Sequence, residues 1–252
     1  MQLADATVLV VDDEEVLCEI MSAWFKKHAA HALRARNGRE ALKVLADNRV
    51  DVIVSDVRMP VMDGVAMVRA LAEKGAERPR VIFVTGFADL SARNAYHLGV
   101  EAIVEKPLER DHLLQAVKRS LADRNELWSR PLESTPNLVV QETFASLDEA
   151  LREQRIAFGR GGFCLSTTRR LREAPVHFEL EFRAEHTVVS GEGVVRWTEP
   201  AENIAGVEIM HLDDRRRGWI VSLVENKQMS PYIPRSPNQY SAVPSQPSVV
   251  GL

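Results

Sequence analysis

Five times in its first half the sequence passes from a short apolar run to a longer amphipathic one. The short runs are Thr7–Val11 (TVLVV), His31–Ala35, residues 52–55 (VIVS), Arg80–Thr85 (RVIFVT) and Ala102–Glu105. Most are β-branched and continuously apolar, as strands buried on both faces are. Residues 14–28 carry Val16, Leu17, Ile20, Met21, Trp24 and Phe25 at helical spacing. Asn37 is placed to cap a helix over Gly38–Asp47. A helix over 65–74 would stop at Gly75, one opened by Ser91 would close at Gly99, and residues 109–128 read as a long helix. Strands joined by helical crossovers pair in parallel, so five βα units predict a doubly wound, five-stranded α/β sheet with helices on both faces. In such sheets ligands gather beyond the carboxyl ends of the strands.

That rule draws a short list of side chains to one rim. Asp12 and Asp13 follow the first strand, Asp56 the third, Thr85 the fourth and Lys106 the fifth. Carboxylates brought together repel, so the site calls for a cation, and oxygen ligands that leave room for water suit Mg²⁺. Asp56 is then placed as a nucleophile toward a phosphoryl group. Mg²⁺ and Lys106 would neutralise the transferring oxygens, and Thr85 would donate a hydrogen bond to them.

VLVVDDEE, SDVRMPVMDG, VTG and EKP resemble the four signature segments of response-regulator receiver domains, over about residues 5–125. The resemblance implies a flavodoxin-like fold and phosphotransfer to Asp56 from a histidine kinase or phosphotransfer protein. It implies Mg²⁺ ligation by Asp13, Asp56 and the backbone carbonyl of Arg58, with Asp12 acting mostly through water. Pro60 and Gly64 stand where the family shapes the loop after the phosphoacceptor, and Pro107 at its cis-proline position. Ile103 occupies the position three residues before the lysine, where many receivers carry an aromatic switch residue.

The texture changes after residue 128. Residues 129–136 (SRPLESTP) read as a linker. Residues 176–183, 193–198 and Ala205–Leu212 alternate like strands, which predicts an antiparallel sheet or small barrel. Ser146 and Glu149 form a capping box for a helix over 146–155, and residues 213–226 form a terminal helix. Gly159-Arg160-Gly161-Gly162 lacks the Lys-Ser/Thr of a phosphate loop and reads as a tight turn. Arg215, Arg216 and Arg217 read as a solvated helix start, and Arg169, Arg170 and Arg172 as an exposed loop. GRGGFCLSTTRRL, VHFELEF, GEGVVRWTE and AGVEIMHL resemble a PilZ domain over about 137–227, a family that folds as an antiparallel β-barrel followed by a helix. Many PilZ domains bind cyclic di-GMP through RxxxR and (D/N)xSxxG segments. Here Ala157 and Gly159 stand where Asp/Asn and Ser belong, and Arg152 and Arg155 have the wrong spacing. Cyclic di-GMP binding is therefore expected to be absent or weak.

The expected divisions are 1–128 receiver, 129–136 linker, 137–228 PilZ-like barrel and 229–252 a disordered Pro/Ser/Gln-rich tail. Net charge is −4, from 32 basic and 36 acidic residues, and no helix-turn-helix pattern is visible, so DNA binding is not expected. No apolar run approaches the ~18 residues of a membrane span, and Cys18 and Cys164 are too few for a disulfide framework. A cytoplasmic protein is the expectation. No nucleophile–base pair or metal cluster stands out in 137–227. Beyond phosphotransfer and autodephosphorylation, no enzyme activity is expected. The reading is a two-component response regulator whose second domain acts by protein interaction. Its downstream partner is unidentified, and phosphorylation of Asp56 would change the receiver face used for partner docking or homodimerisation. The rival is a cyclic di-GMP receptor that integrates both inputs.

Overall fold

The computed structural model describes residues 1–28, 30–72, 78–86, 90–122, 128–129, 132, 135–159, 161–167, 169, 171–199, 201 and 203–226. The Gly75 helix stop, Arg160, Arg170, half of the 129–136 linker and the 229–252 tail lie outside these residues.

The first half holds strands β1 (Thr7–Val11), β2 (His31–Ala35), β3 (Val52–Asp56), β4 (Arg80–Thr85) and β5 (Ala102–Glu105). The helices are α1 (Glu15–Lys26), α2 (Gly38–Asp47), α3 (Gly64–Ala72), α4 (Ala92–Leu98) and α5 (Arg110–Leu121). The strands form one parallel sheet ordered β2-β1-β3-β4-β5. Strand side chains alternate between its faces. Val8, Val10, Val52, Val54, Ile82 and Val84 pack against Met21 and Phe25 of α1 and Leu113 and Val117 of α5. Leu9, Val11, Ile53, Val81 and Phe83 pack against Ala41 of α2, Met67 and Leu71 of α3 and Ala95 of α4. Asn37 Oδ1 accepts from Glu40 N at 3.0 Å, and Ser91 Oγ accepts from Asn94 N at 3.2 Å. Each supplies a side-chain cap for a helix start whose amides lack backbone partners. Gly99, at φ 70, closes α4 in a left-handed cap that a β-carbon would strain.

The second half contains β6 (Leu138–Phe144), α6 (Leu147–Arg152), β7 (Ile156–Gly159), β8 (Gly162–Ser166), β9 (Ala174–Phe182), β10 (Thr187–Glu199), β11 (Ile204–Leu212) and α7 (Asp214–Asn226). Here the structure corrects the sequence reading. The sheet is mixed, ordered β6-β9-β10-β11-β8-β7, with β6 parallel to β9 and the other ladders antiparallel. The chain between β6 and β9 carries α6 and the β7–β8 hairpin, long enough for the crossover a parallel pair requires. The sheet curls on itself. Phe158 of β7 lies 6.4 Å from Phe182 of β9, and Phe163 of β8 lies 5.0 Å from Phe178 of β9, although these strands are not neighbours. One core of Phe144, Phe158, Phe163, Phe178, Phe182 and Ile220 fills the curl. Gly159 pairs with Gly162 at the hairpin turn.

A second correction concerns the long helix expected over 109–128. α5 ends at Leu121, and Trp128 is buried in the second core, with Leu212 N donating to its carbonyl at 3.0 Å. Apolar periodicity alone did not reveal that this indole packs against the other sheet. A third concerns Arg217, whose Nη2 reaches the carbonyl of Leu212 at 3.2 Å and that of Trp128 at 3.5 Å, so it is not simply solvated.

Candidate functional site

β1 lies between β2 and β3, and every residue from Val8 to Asp12 is buried. The sheet therefore delivers Asp12 to the rim as a desolvated carboxylate. Its Oδ1 accepts from Glu14 N at 2.9 Å. Its Oδ2 is buried without a hydrogen bond and faces Lys106 Nζ at 3.6 Å. Burial pushes the Asp12 carboxyl pKa up; the Glu14 amide and Lys106 oppose this, and the Asp56 charge adds to it.

Asp56 ends β3 and remains 9% exposed. Its Oδ1 accepts from Val57 N at 2.6 Å and lies 3.4 Å from Arg58 N. Its Oδ2 accepts from Lys106 Nζ at 3.0 Å. The loop behind it is tightly built. Gly64 N donates to Val57 O at 2.9 Å, and Ser55 Oγ donates to Asp56 O at 2.7 Å. A β-carbon on Gly64 would stand 2.4 Å from Asp56 O, so the close approach requires glycine. Val61 in the same loop has φ 69 and is 71% exposed, an uncommon conformation for a β-branched residue.

Thr85 ends β4, buried at the same rim. Its Oγ1 donates to Gly86 O at 3.1 Å, while its carbonyl accepts from Lys106 N at 2.8 Å. Lys106 follows β5, and its peptide bond to Pro107 is cis. Burial draws the Lys106 pKa down, but the bond to Asp56 and the charges of Asp12 and Asp56 outweigh it and leave it raised. The ammonium is therefore firmly cationic. Ile103 packs in the α3–α4 side core beside Phe83, its partner in register.

Asp12, Asp13 and Asp56 each offer a carboxylate oxygen, all within 4.8 Å of one another. The buried Asp12 Oδ2 without a hydrogen bond, and the surplus of negative charge over the one ammonium, fit a hard divalent cation. The rim thus joins a strand-end carboxylate, a cation site, an ammonium and a hydroxyl, the set required to accept and hold a phosphoryl group.

Comparison with known proteins agrees. Residues 8–118 match the family described as Response regulator receiver domain. The chain is 35% identical over 115 residues to Regulatory protein AtoC of Escherichia coli (strain K12), covering 45% of this chain and 25% of that protein. It is 32% identical over 120 residues to DNA-binding transcriptional regulator NtrC of the same organism, covering 47% and 25%. Among solved structures, Chemotaxis response regulator CheY4 of Vibrio cholerae is 28% identical, with a TM-score of 0.43 over 46% of this chain and 98% of that one. The receiver domain of a signal transduction histidine kinase from Syntrophus aciditrophicus is 30% identical, with a TM-score of 0.44 over 52% and 100%. Residues 8–118 are a response regulator receiver domain of the kind used in two-component signalling. The chain spans about a quarter of the length of AtoC and NtrC.

Sequence reasoning missed a second group of residues, where the two halves meet. Tyr96 of α4 and Trp197 of β10 are buried against each other with Cys164 and Ile204, and Arg119 of α5 reaches Glu208 of β11. AGVEIM (205–210) is buried without alternation even though it includes a glutamate, as happens when both faces of a strand are covered.

Proposed function

We propose that this chain is a two-component response regulator that takes a phosphoryl group on Asp56 from a histidine kinase or phosphotransfer protein and signals through its C-terminal sheet by protein contact. The observation that carries the reading is the Asp56 carboxylate at a strand end, with Lys106 Nζ at 3.0 Å and two further carboxylates within 4.8 Å. An Asp56 oxygen attacks phosphorus, the phosphorus–nitrogen bond of the phosphohistidine breaks, and the imidazole leaves with the electron pair. Asp12, Asp13, Asp56 and the Arg58 carbonyl would hold Mg²⁺, which supplies neutralisation of the phosphoryl oxygens. Lys106, which already donates to Asp56 Oδ2, would neutralise the oxygens of the new acyl phosphate, and Thr85 would donate its hydroxyl to one of them. The protein's own chemistry is confined to gaining and losing this group.

The C-terminal half is read as a degenerate PilZ-like module acting in the cytoplasm. The curated relatives include DNA-binding regulators, but the family match ends at residue 118 and the second half is built mainly of strands. Protein contact is therefore favoured over DNA. No helix among the described residues is long and apolar enough to cross a membrane. Incubation with Mg²⁺ and a small phosphoryl donor, read by intact mass, tests the core of the reading. One phosphoryl group should appear, and Asp56→Asn should abolish it. Labelling that survives in Asp56→Asn sinks the assignment.

One observation favours the rival. A cavity of about 490 Å³ is lined by Thr167, Arg169, Leu171, Thr198, Asn203, Ile204 and Ala205, a size that suits a ligand. Against cyclic di-GMP stands Ala157, whose carbonyl is occupied by the Tyr96 hydroxyl. Calorimetric titration with cyclic di-GMP, with and without beryllofluoride, decides. Saturable micromolar binding makes the protein a dual-input receptor.

A further inference from the structure

The outer face of the second sheet carries a row of donor side chains that the phosphoacceptor rim does not use. Val176, Phe178 and Leu180 of β9 point into the core, so His177, Glu179 and Glu181 point outward. Val189 and Val195 of β10 also point inward, which sends Ser190, Glu192 and Val194 to the same outer face. Glu192 is paired in register with His177 of β9 on one side and with His211 of β11 on the other. His177, Glu192 and His211 therefore lie in one line across three neighbouring strands. They are far apart in sequence, so no local spacing reveals the row.

The line depends on an irregularity in β11. Gly193 pairs with Ile209, and the next pair is Glu192 with His211, so Met210 is the extra residue of a bulge. A regular ladder would set Met210 beside Glu192. The bulge puts an imidazole there instead, and bulges commonly re-aim a side chain in this way. Leu212 is back in the core, which leaves His211 outward and exposed. On its other edge the His211 backbone is bridged by Ser129, and Leu212 N donates to Trp128 O at 3.0 Å. The backbone beneath the row is thus held on both sides.

The three side chains are also uncommitted. The other outward carboxylates of β9 are held by β6: Gln141 Nε2 donates to Glu179 at 3.1 Å, and Thr143 Oγ1 donates to Glu181 at 3.0 Å. His177, Glu192 and His211 have no side-chain hydrogen bond or ion pair among the described residues. Direct cross-strand partners hold their β-carbons about 5 Å apart, and the two histidines are two strand spacings apart, about 9.5 Å. Imidazoles at that spacing can lean inward over the carboxylate between them. Among the described residues, three donor atoms already within 4.8 Å of one another occur only at Asp12, Asp13 and Asp56. The row on the sheet would close on an ion by side-chain rotation, which costs no existing bond. The donor chemistry also separates the two places. Three carboxylates suit a hard cation such as Mg²⁺. Two imidazoles and a carboxylate suit a softer dication such as Zn²⁺ and leave a coordination position for water.

We propose that His177, Glu192 and His211 form a second metal site, for a dication of the Zn²⁺ type, on the outer face of the C-terminal sheet. The ion ties β9, β10 and β11 together. It stabilises the folded chain, because the unfolded chain does not hold the three donors in one place.

The test titrates Zn²⁺ into the full-length protein by calorimetry, with excess Mg²⁺ to occupy the Asp56 rim. One equivalent should bind, and Zn²⁺ should raise the urea midpoint. His177→Ala and His211→Ala should each weaken binding at least about tenfold and remove the Zn²⁺ response of the midpoint. Both side chains lie at the surface without partners, so both variants should fold. Asp13→Asn should bind Zn²⁺ as the wild type does. Cu²⁺ serves as a second probe: its paramagnetic resonance spectrum should show coupling to two imidazole nitrogens in the wild type and to one in either histidine variant. The site is overturned if the wild type binds no Zn²⁺, or if both histidine variants bind it with unchanged affinity. It is equally overturned if Asp13→Asn abolishes binding, which would put the ion at the phosphoacceptor rim.

Discussion

Replacing Glu208 by Gln should destabilise the second sheet by about 3 kcal/mol. The side chain is 1% exposed and its two oxygens are divided between Arg196 at 2.6 Å and Arg119 at 3.3 Å. Gln preserves the shape and can still accept one bond, but it removes the negative charge. Arg196, itself buried, then loses the counter-charge it meets at 2.6 Å. Breaking one partner of a buried pair costs about 3–5 kcal/mol, and the surviving hydrogen bond places this case at the lower end. Arg119 retains 18% side-chain exposure and is partly rehydrated, so it adds little. The assay is urea unfolding of the full chain, followed by the fluorescence of Trp128 and Trp219, which report the second core. The midpoint should fall without a change in slope. The loss should persist in high salt, because buried pairs are weakly screened. A double variant, Arg196→Met with Glu208→Leu, should recover most of the stability, since apolar replacements of buried ion pairs are often neutral or better. A loss below about 1 kcal/mol for Glu208→Gln, a value typical of exposed pairs, would refute the assignment of Glu208 as a desolvated bridge.

Gly64→Ala should cost stability by about 1–3 kcal/mol and slow phosphorylation, because the new β-carbon lands 2.4 Å from Asp56 O and 3.0 Å from Phe83 Cε1; a normal midpoint with a normal phosphorylation rate contradicts this. Gly206→Ala should displace the Trp197 indole and open the Tyr96 contact, seen as faster exchange in 156–166, with a stability cost of similar order. Asp12→Asn should raise the stability of the cation-free protein at neutral pH. The raised Asp12 pKa, caused first by burial, means the folded state resists an ionisation the unfolded chain accepts. The advantage should shrink as pH falls toward about 4, and added Mg²⁺ should stabilise wild type more than the variant; equal Mg²⁺ responses argue against the cation site. The Tyr96 phenol, its pKa pushed far up by burial, contributes stability that is complete below the unfolded pKa of about 10 and is lost as pH rises above it. Wild type should therefore lose more stability than Tyr96→Phe between about pH 9 and 11, and parallel losses would contradict a buried phenol.

Local patterns carried much of the receiver half. Apolar runs and amphipathic stretches are properties of neighbouring residues, and each strand period or helix period reads directly as an element. The strand-end rule then brought Asp12, Asp13, Asp56, Thr85 and Lys106 to one rim before any coordinates, because a parallel sheet with helical crossovers leaves its carboxyl ends on one side. Ser91, Asn37 and Ser146 were legible as caps for the same reason: each satisfies amides within three residues of itself.

Tertiary structure alone decided the rest. The parallel pairing of β6 with β9 depends on where the intervening α6 and the β7–β8 hairpin return the chain, which no local period encodes. Trp128 fits the pattern of a helix end, yet its burial free energy is realised only against a sheet built by residues far along the chain. Glu208 reads as the solvated side of an alternating strand until a bulge turns Arg196 toward it and α5 brings Arg119 over it. Tyr96 carries no motif; its place is set by a carbonyl and an indole from the other domain. Sequence determined the chemistry of the rim because covalent order and strand direction suffice to place it. The grip between the two halves was decided by the tertiary structure, because desolvation of a glutamate and a phenol depends on which distant surfaces exclude the water.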